Sequence, residues 1–333
     1  MTQMKNNISE NTKHDNRTDT IKNPPFASFF LALSFLTRFS CPAVQPDEKI
    51  WRKSVFYFPL IGMILGITAG AFPVLASWYL EGLQGLVLFF SVVYVGLLEL
   101  QTRFLHLDGF CDCFDGFYAM TDSPEKRLAI MKDPHIGSAA LGGAILLISA
   151  KVLAVYLLFM RLAIFEEYAL LAISLILIPA TARYAMVCAA AIGKYPREQG
   201  TGKSLIGRIP FAGGILLPGI ILGFLIFSGF GIVGTFRSLF PLSGGWQAFT
   251  SGFSGIGYIL QKNPAHWFII IGNGGLALFL FALTCYLPVS FWHKKSMKKI
   301  GGTTGDVLGA VCETSELLAM VAVLTVADRL TFI

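Results

Sequence analysis

The sequence predicts an all-α fold: a polytopic integral membrane helical bundle of about seven transmembrane helices, preceded by a short N-terminal re-entrant or interfacial helix. Hydrophobic residues make up 54% of the 333 residues and charged residues only 14%, whereas soluble globular proteins carry about 25% charged residues. The mean hydropathy is +0.65. The apolar residues form long blocks without the polar residue in every turn that is typical of soluble helices. These observations exclude an ordinary soluble domain and a disordered chain.

The charge balance and the cysteines exclude two further classes. Lys and Arg total 26 against 20 Asp and Glu, which gives a net charge of +6. In a chain with so few charges, this excess indicates cytoplasmic loops rather than a nucleic-acid-binding surface, and no nucleic-acid partner is expected. The six cysteines follow no regular spacing and several lie in apolar runs. They therefore indicate buried small side chains and no disulfide framework.

Residues 1–25 are polar and are predicted to form a disordered cytoplasmic tail. They do not resemble a signal peptide, because the apolar run begins only at Phe26. The run from Phe26 to Phe39 would be about 21 Å long as a helix, which is too short for about 30 Å of hydrocarbon. It is predicted to be the re-entrant or interfacial helix, and residues 26–333 are predicted to form a single membrane-embedded domain.

Seven later blocks are long enough to cross a bilayer as helices. They cover approximately residues 55–80, 85–102, 139–160, 168–192, 211–233, 266–291 and 305–327. Lys and Arg are divided unevenly among the connections, with four each in segments 38–53, 103–138, 193–210 and 291–304. The connections on the opposite side hold between none and two. Because Lys/Arg-rich loops stay in the cytoplasm, the four basic segments are predicted to face it.

The segment HLDGFCDCFDG, residues 106–116, carries a first candidate site. Asp108, Asp112 and Asp115 are spaced i, i+4 and i+7, which places them within about 60° of one another on a helix. Such a stripe repels itself unless a cation joins it, and Mg²⁺ binds one or two carboxylates together with substrate phosphate oxygens. The stripe therefore predicts a diphosphate-metal site. The alternative is a solvated acidic helix face.

The segment GGTTGDVLGAVCETSE, residues 301–316, carries a second candidate site. Its glycine-rich turn before the last block would offer free backbone N–H groups to phosphate. Glu313 follows Asp306 by seven residues on the same face, about 10 Å away along the axis, and Glu316 is offset by about 80°. We expect Asp306 to join the metal or phosphate site and Glu313 to pair with an intramembrane cation. The alternative role for Asp306 is helix capping, by its own side chain or by that of Thr304.

Two basic loops, IMKDPHIGS at 130–138 and KYPREQGTGKSLIGR at 194–208, supply candidate substrate-binding residues. These residues are Lys132, Asp133, His135, Arg197 and Lys203. Arginine, lysine and backbone amides of the second loop are suited to phosphate. An ATP-binding phosphate loop is excluded, because the Walker pattern needs a glycine where Arg197 stands. For the first loop, a solvated surface role is the alternative.

Two cations, Lys151 and Arg183, lie inside predicted spans. An intramembrane charge indicates function by default and needs a partner, for which Glu99, Glu313 and the aspartates are available. Arg183 is a further candidate for substrate binding. Lys151 and Glu316 are candidates for structural ion pairs.

Several of these motifs, in this order, resemble the cobalamin synthase family, the adenosylcobinamide-GDP ribazoletransferases. The resemblance covers most of the chain from Phe26 to the end, and the polar tail and the outer segment 234–265 look like additions to the family pattern. The segments that carry it are FLTRF (35–39), FPLIG (58–62), HLDG-x-x-D-x-x-DG (106–116), IMKD-x-x-IGS (130–138), YPRE-x-G-x-G (195–202) and GGTTGD-x-LGA-x-x-E (301–313). Cys111 and Cys113 replace the small residues usual in the family, but all three aspartates between 106 and 116 are kept.

The resemblance implies a membrane enzyme that completes the nucleotide loop of cobalamin. The implied reaction joins adenosylcobinamide-GDP with α-ribazole or its 5′-phosphate and gives adenosylcobalamin or its 5′-phosphate, together with GMP. Mg²⁺ is the implied cofactor and the cytoplasmic (inner) membrane the implied location, with the site on the cytoplasmic side. Membrane lipid is an expected partner, and an oligomer is possible.

On this interpretation, residues 26–333 are a catalytic domain with five candidate catalytic acids. These acids are Asp108, Asp112, Asp115, Asp306 and Glu313, of which the first four are the candidate metal ligands. The ribazole 3′-hydroxyl would attack the phosphorus atom bonded to cobinamide, and Asp115 or Glu313 would accept the hydroxyl proton.

Two other functions fit the composition. One is another metal-dependent membrane transferase. However, the chain lacks the Ala-Arg that a CDP-alcohol phosphotransferase carries after Asp-Gly, and residues 301–316 match the second aspartate-rich motif of a prenyltransferase only loosely. The other is a transporter, in which polar residues should lie near the bilayer midplane. Here most acids lie at the cytoplasmic ends of the predicted spans.

Overall fold

The computed structural model describes residues 23–79, 84–162, 167–197, 200–233 and 265–331. Within these ranges the regular structure is entirely helical and contains no strand. Most of the predicted tail, and almost all of the outer segment 234–265, lie outside the described residues. The all-helical prediction is therefore confirmed for the described part of the chain.

The α-helices of the described ranges follow one another in a simple order. They are α1 (Ala27–Leu36), α2 (Glu48–Ser54), α3 (Phe58–Tyr79), α4 (Val87–Gln101), α5 (Leu105–Tyr118), α6 (Pro124–Ile130), α7 (Ser138–Leu162), α8 (Tyr168–Ile192), α9 (Leu217–Ser228), α10 (Ala265–Ile300) and α11 (Gly305–Thr331). A 3₁₀ turn, Val55–Tyr57, joins α2 to α3. Another, Thr201–Ser204, follows α8, and a π-helical segment, Phe211–Leu216, leads into α9.

Six helical stretches of the described residues are long and apolar enough to cross a membrane. They are Glu48–Ala76, Ser138–Leu162, Tyr168–Ile192, Phe211–Gly231, Phe268–Ile300 and Gly305–Ala327. The predicted span at 85–102 differs, because α4 has only 15 residues and meets α5 at an angle of 86°. Taken as one broken span, α4 and α5 make a seventh. At 10 residues, α1 is short, as predicted.

The break between α4 and α5 has its cause in the backbone. Arg103 and Phe104 have φ angles of 56° and 57°, in the left-handed region that ends helices and that residues other than glycine rarely adopt. The N–H of Phe104 donates to the carbonyl of Glu99 at 2.8 Å and closes the end of α4. The helix that carries the aspartate stripe is consequently free to take a different direction from α4.

The centre of the bundle is formed by α8 and α11. In these two helices 78% and 72% of the most apolar stretch is buried, against 50% or less in the other spans. α3 reaches α8 through glycines: a Cβ on Gly62 or Gly66 would lie 2.5 Å from a carbonyl oxygen of α8. Only glycine allows two helix backbones to approach so closely. α11 contacts α5, α7, α8 and α10, and so joins the elements that carry the candidate site.

Candidate active site

The aspartate stripe lies on α5. This helix, Leu105–Tyr118, includes all of residues 106–116, so the predicted helical spacing of the three aspartates is confirmed. α5 crosses the first turns of α11 with the two backbones in contact. A Cβ on Gly109 would lie 2.9 Å from Cα of Asp306, and a Cβ on Gly309 would lie 2.8 Å from the carbonyl oxygen of His106. Two glycines, one on each helix, therefore bring together motifs that are far apart in the chain.

Asp108, Asp112 and Asp306 form an acidic cluster at this crossing. Asp108 is exposed, and the other two are half-buried. Asp112 is within electrostatic range of both Asp108 and Asp306, and Asp306 is within range of Asp108. Like charges repel more strongly when they are partly withdrawn from water. The acidic cluster therefore favours a cationic partner.

Arg197 supplies one positive charge beside the acidic cluster. Its Nη2 lies 3.6 Å from Oδ2 of Asp306. The segment before it is held against the turn of α11, where the N–H of Thr303 donates to the carbonyl of Lys194 at 2.7 Å. Nε and Nη2 of Arg197 are buried and have no hydrogen-bond acceptor among the described residues. A guanidinium with unused donors in such a position is suited to phosphate oxygens.

Asp115 serves a different element, although it shares the stripe. Its Oδ2 accepts the backbone N–H of Gly137 at 2.6 Å, and its Oδ1 accepts that of Ala140 at 3.0 Å. Because α7 begins at Ser138, these are first-turn donors that have no partner within the helix. A carboxylate at a helix N-terminus is also favoured by the helix dipole. Asp115 thus fastens α7 to α5, although the sequence grouped it with the metal ligands.

The two predicted substrate-binding loops lie on the surface beside these elements. Lys132, Asp133 and His135 are all exposed between α6 and α7. Asp133 accepts the backbone N–H of His135 at 2.9 Å, and this bond, together with the His135 ring, lowers the pKa of the Asp133 carboxyl. Lys203 is exposed in the turn Thr201–Ser204. The first loop is tied to the site by the bond from the N–H of Gly137 to the Asp115 carboxylate, and the second by the bond from the N–H of Thr303 to the carbonyl of Lys194.

A buried ion network lies inside the bundle. Nζ of Lys151 is 3.1 Å from Oε1 of Glu99 and 3.7 Å from Oε1 of Glu316, and it also donates to Glu313. Nη1 of Arg183 donates to Glu316. All five side chains are at most 5% exposed. The network links α4, α7, α8 and α11, and each charge has an opposite charge beside it, as burial requires.

The network shows where Glu313, Glu316 and Arg183 lie, three residues to which the sequence assigned more than one candidate role. Glu313 is paired with the intramembrane cation Lys151. This pairing is expected, because Glu313 lies two turns inside the apolar helix α11. Glu316 contacts both cations, in agreement with an ion-pair role. Arg183, also a candidate for substrate binding, is 1% exposed and points to Glu316 rather than to the acidic cluster. Glu313 is equally buried, and the catalytic role of Glu313 and the substrate-binding role of Arg183 stay predictions.

No group of three or more His, Cys, Asp or Glu side chains in the described ranges is arranged to hold a metal ion by itself. The four predicted aspartate ligands therefore do not form a closed cage, and Asp115 also accepts two N–H groups at the start of α7. Their role as metal ligands stays a prediction. Mg²⁺ needs only one or two carboxylates, however, because water and substrate phosphates complete its shell. The acidic cluster beside Arg197 fits a cation shared with a phosphate-bearing substrate.

Comparison with known families agrees with the motifs. A sequence model of the family described as cobalamin-5-phosphate synthase matches residues 28–324. The chain belongs to this family. It is therefore an enzyme of cobalamin synthesis, and its apolar helices make it a polytopic membrane protein, as the sequence predicted.

Members of the cobalamin-5-phosphate synthase family from distant bacteria align along nearly the whole chain. A Fusobacterium nucleatum protein named adenosylcobinamide-GDP ribazoletransferase is 34% identical over 87% of this chain and 94% of its own length. Proteins of the same name from Chlorobium phaeovibrioides and Clostridioides difficile are 31% and 29% identical, over 87% and 88% of this chain and 94% and 95% of their own lengths. No solved structure gives a significant match.

In this member of the family, sequence reasoning missed Arg127. Arg127 of α6 is 4% exposed, and its Nη1 donates to the carbonyls of Gly116, Phe117 and Ala119 at 2.8, 3.2 and 3.1 Å. These carbonyls lie at the end of α5, where a cationic donor is favoured. From the sequence, Arg127 counts only as one of the basic residues of segment 103–138. No spacing pattern could predict its contact with the end of α5. Its side chain fixes the end of the helix that carries the aspartates.

Proposed function

We propose that the protein is a Mg²⁺-dependent transferase that joins adenosylcobinamide-GDP with α-ribazole or its 5′-phosphate. The products would be adenosylcobalamin or its 5′-phosphate, and GMP. The observation that carries the proposal is the acidic cluster at the crossing of α5 and α11, with the unused N–H donors of Arg197 beside it. Membership of the cobalamin-5-phosphate synthase family, and the names of the relatives, support the same reaction.

The substrate diphosphate would lie between Arg197 and the acidic cluster. Arg197 would bind its non-bridging oxygens and stabilise the charge that develops on the departing GMP. One or two of the carboxylates of Asp108, Asp112 and Asp306 would hold Mg²⁺, which when bound neutralises diphosphate charge. The glycine-rich turn before α11 would contribute backbone N–H groups to the same oxygens.

In the reaction, the ribazole 3′-hydroxyl oxygen would form a bond to the phosphorus atom attached to cobinamide. The anhydride bond to the second phosphorus would break, and GMP would leave with its electron pair. The hydroxyl proton needs an acceptor, and the two acids first considered are engaged elsewhere: Asp115 with α7 and Glu313 with Lys151. We therefore assign proton acceptance to a carboxylate of the acidic cluster that does not hold Mg²⁺. Asp108 is exposed and Asp112 half-buried, so both are accessible to the hydroxyl.

We also propose that the site faces the cytoplasm, in the inner membrane of the cell. The elements that build it come from the segments that are rich in Lys and Arg: 103–138, 193–210 and the turn before α11. Such segments stay on the cytoplasmic side. Substrates as polar as a GDP derivative and a ribazole phosphate would also be available there.

The test is the reaction itself. The full-length chain, purified in detergent, is incubated with adenosylcobinamide-GDP and either α-ribazole or α-ribazole 5′-phosphate, with and without Mg²⁺. We expect GMP and the joined corrinoid in equal amounts, only when both substrates and Mg²⁺ are present. Absence of GMP with both ribazole forms at saturating Mg²⁺ would contradict the proposal. The relative rates with the two forms identify the preferred one.

A further inference from the structure

A separate cavity, of about 670 Å³, lies between the ends of two membrane spans. One wall is the beginning of the stretch Glu48–Ala76, which includes α2 and the 3₁₀ turn after it. The rest of the lining is Ser28 of α1, together with Pro210 and Gly213 where the stretch Phe211–Gly231 begins. None of its lining residues belongs to the acidic cluster, and Arg197 does not line it either.

The charged wall of this cavity is positive. Lys49, Arg52 and Lys53 line it from α2, and their spacing of i, i+3 and i+4 places them on one helix face. All three are exposed, and no carboxylate of the described residues lies within ion-pair distance of them. Glu48, the acid in the same wall, is already paired with Arg208 at 3.1 Å. The cavity therefore presents three cations that lack a counter-charge from the described part of the protein.

Apolar side chains continue from the cavity along both spans. Phe56 and Tyr57 complete the α2 wall, and Leu60, one turn beyond Phe56, is 43% exposed. In the second span, Phe211 follows Pro210 and is 68% exposed. A ligand that is anionic at one end and apolar at the other would cover both kinds of surface, whereas a small soluble phosphate would cover only the cations.

We propose that this cavity binds the headgroup of an acidic phospholipid. The phosphate would contact Lys49, Arg52 and Lys53, and the acyl chains would run along the exposed apolar residues of the two spans. Basic residues at the membrane end of a helix attract anionic headgroups, and pockets of this kind between spanning helices bind them specifically. The site does not rest on the proposed reaction, because it shares no residue with the acidic cluster.

The test measures lipid binding to the purified full-length chain by native mass spectrometry. The protein is released from detergent micelles that contain either phosphatidylglycerol or phosphatidylcholine. We expect the wild-type chain to retain one phosphatidylglycerol in preference to phosphatidylcholine. The variant Lys49→Gln/Arg52→Gln/Lys53→Gln should bind phosphatidylglycerol about 10²-fold more weakly, the factor expected for losing three cations beside an anionic headgroup.

A control variant distinguishes binding at this cavity from a general effect of positive charge on lipid binding. Lys294→Gln/Lys298→Gln/Lys299→Gln removes three positive charges from the last turns of α10 and should retain phosphatidylglycerol as the wild type does. Equal loss in both variants, or equal retention of both lipids by the wild type, would overturn the proposal. So would binding of glycerol 1-phosphate as tight as that of phosphatidylglycerol, which would make the cavity a site for soluble phosphates. If the triple variant of α2 does not fold, Arg52→Gln against Lys298→Gln gives the same comparison.

Discussion

The carboxylate of Asp115 accepts the backbone N–H of Gly137, the residue before α7, at 2.6 Å. Because of this bond, the three aspartates of the stripe have two different roles. Asp108 and Asp112 remain at the crossing with α11, whereas Asp115 holds the start of α7. Because α7 also carries Lys151 into the buried ion network, the bond connects the surface site with the interior of the bundle.

Gly137→Ala should loosen α7 from α5. A Cβ at this position would overlap the Asp115 carboxylate, so the side chain would have to leave the first turn of α7. Loss of such a cap costs about 1 kcal/mol, and we expect both a lower thermal midpoint and lower transferase activity. Gly142→Ala is the control, because a Cβ there would meet open space. Identical thermal midpoints and rates for the two variants would show that the contact is unimportant.

Asp108→Asn and Asp112→Asn should each remove the main electrostatic support of the reaction. Each change deletes a negative charge from the acidic cluster while it keeps the shape of the side chain. We expect GMP formation to fall by at least about 10²-fold, the scale for losing a principal electrostatic group, and its dependence on Mg²⁺ concentration to weaken. Asp122→Asn, an exposed position in the loop after α5, should behave like the wild type. Near-normal turnover of both cluster variants at saturating Mg²⁺ would make the stripe a solvated surface.

Gly109→Ala should separate the two halves of the site. The added methyl group would press on the backbone of Asp306 at 2.8 to 2.9 Å, so α5 and α11 would have to move apart. Because a displacement of about 1 Å costs on the order of 10² in rate, activity should fall much more than stability. Gly96→Ala in α4 adds the same methyl group where nothing lies within 4 Å and should leave activity intact. Comparable activity of the two variants would contradict the close crossing.

Lys151→Met should destabilise the bundle by about 3–5 kcal/mol, the usual cost of leaving a buried charge without its partner. Glu99, Glu313 and Glu316 would then face Arg183 alone. Adding Glu313→Gln removes one of the stranded charges, and we expect it to restore part of the lost stability. The measurement is the thermal midpoint in detergent of the wild type, the two single variants and the double variant. Strictly additive losses would show that Lys151 and Glu313 do not interact.

A reporter fused after Lys299 should be located in the cytoplasm. Four Lys residues lie near this point, at the end of α10, and such clusters are retained on that side. A fusion between residues 240 and 260 should be located outside. Reporter activities of alkaline phosphatase and green fluorescent protein distinguish the two sides. The reverse pattern would place the acidic cluster on the outer face and contradict the proposed access of substrates.

The sequence by itself determined the class of fold and the two motifs of the site. Hydrocarbon offers no hydrogen bonds to a backbone, so long apolar blocks with few charges can only become helices. The placement of Asp108 and Asp112 on one helix face is also local information, because a spacing of four residues fixes their angle around the axis. The sequence also shows how deep Glu313 lies in the membrane. Because it is two turns inside an apolar block, it is predicted to pair with a cation.

Only the tertiary structure decided which charges meet. Asp112 and Asp115 are three residues apart on one helix, yet one faces α11 and the other caps α7. Spacing fixes an angle around a helix, but the neighbour at that angle depends on how helices cross. Here the crossing follows from the contact at Gly109 and from the left-handed turn at Arg103 and Phe104. No propensity marks that turn in the sequence, because residues other than glycine adopt such φ angles only when the surrounding packing imposes them.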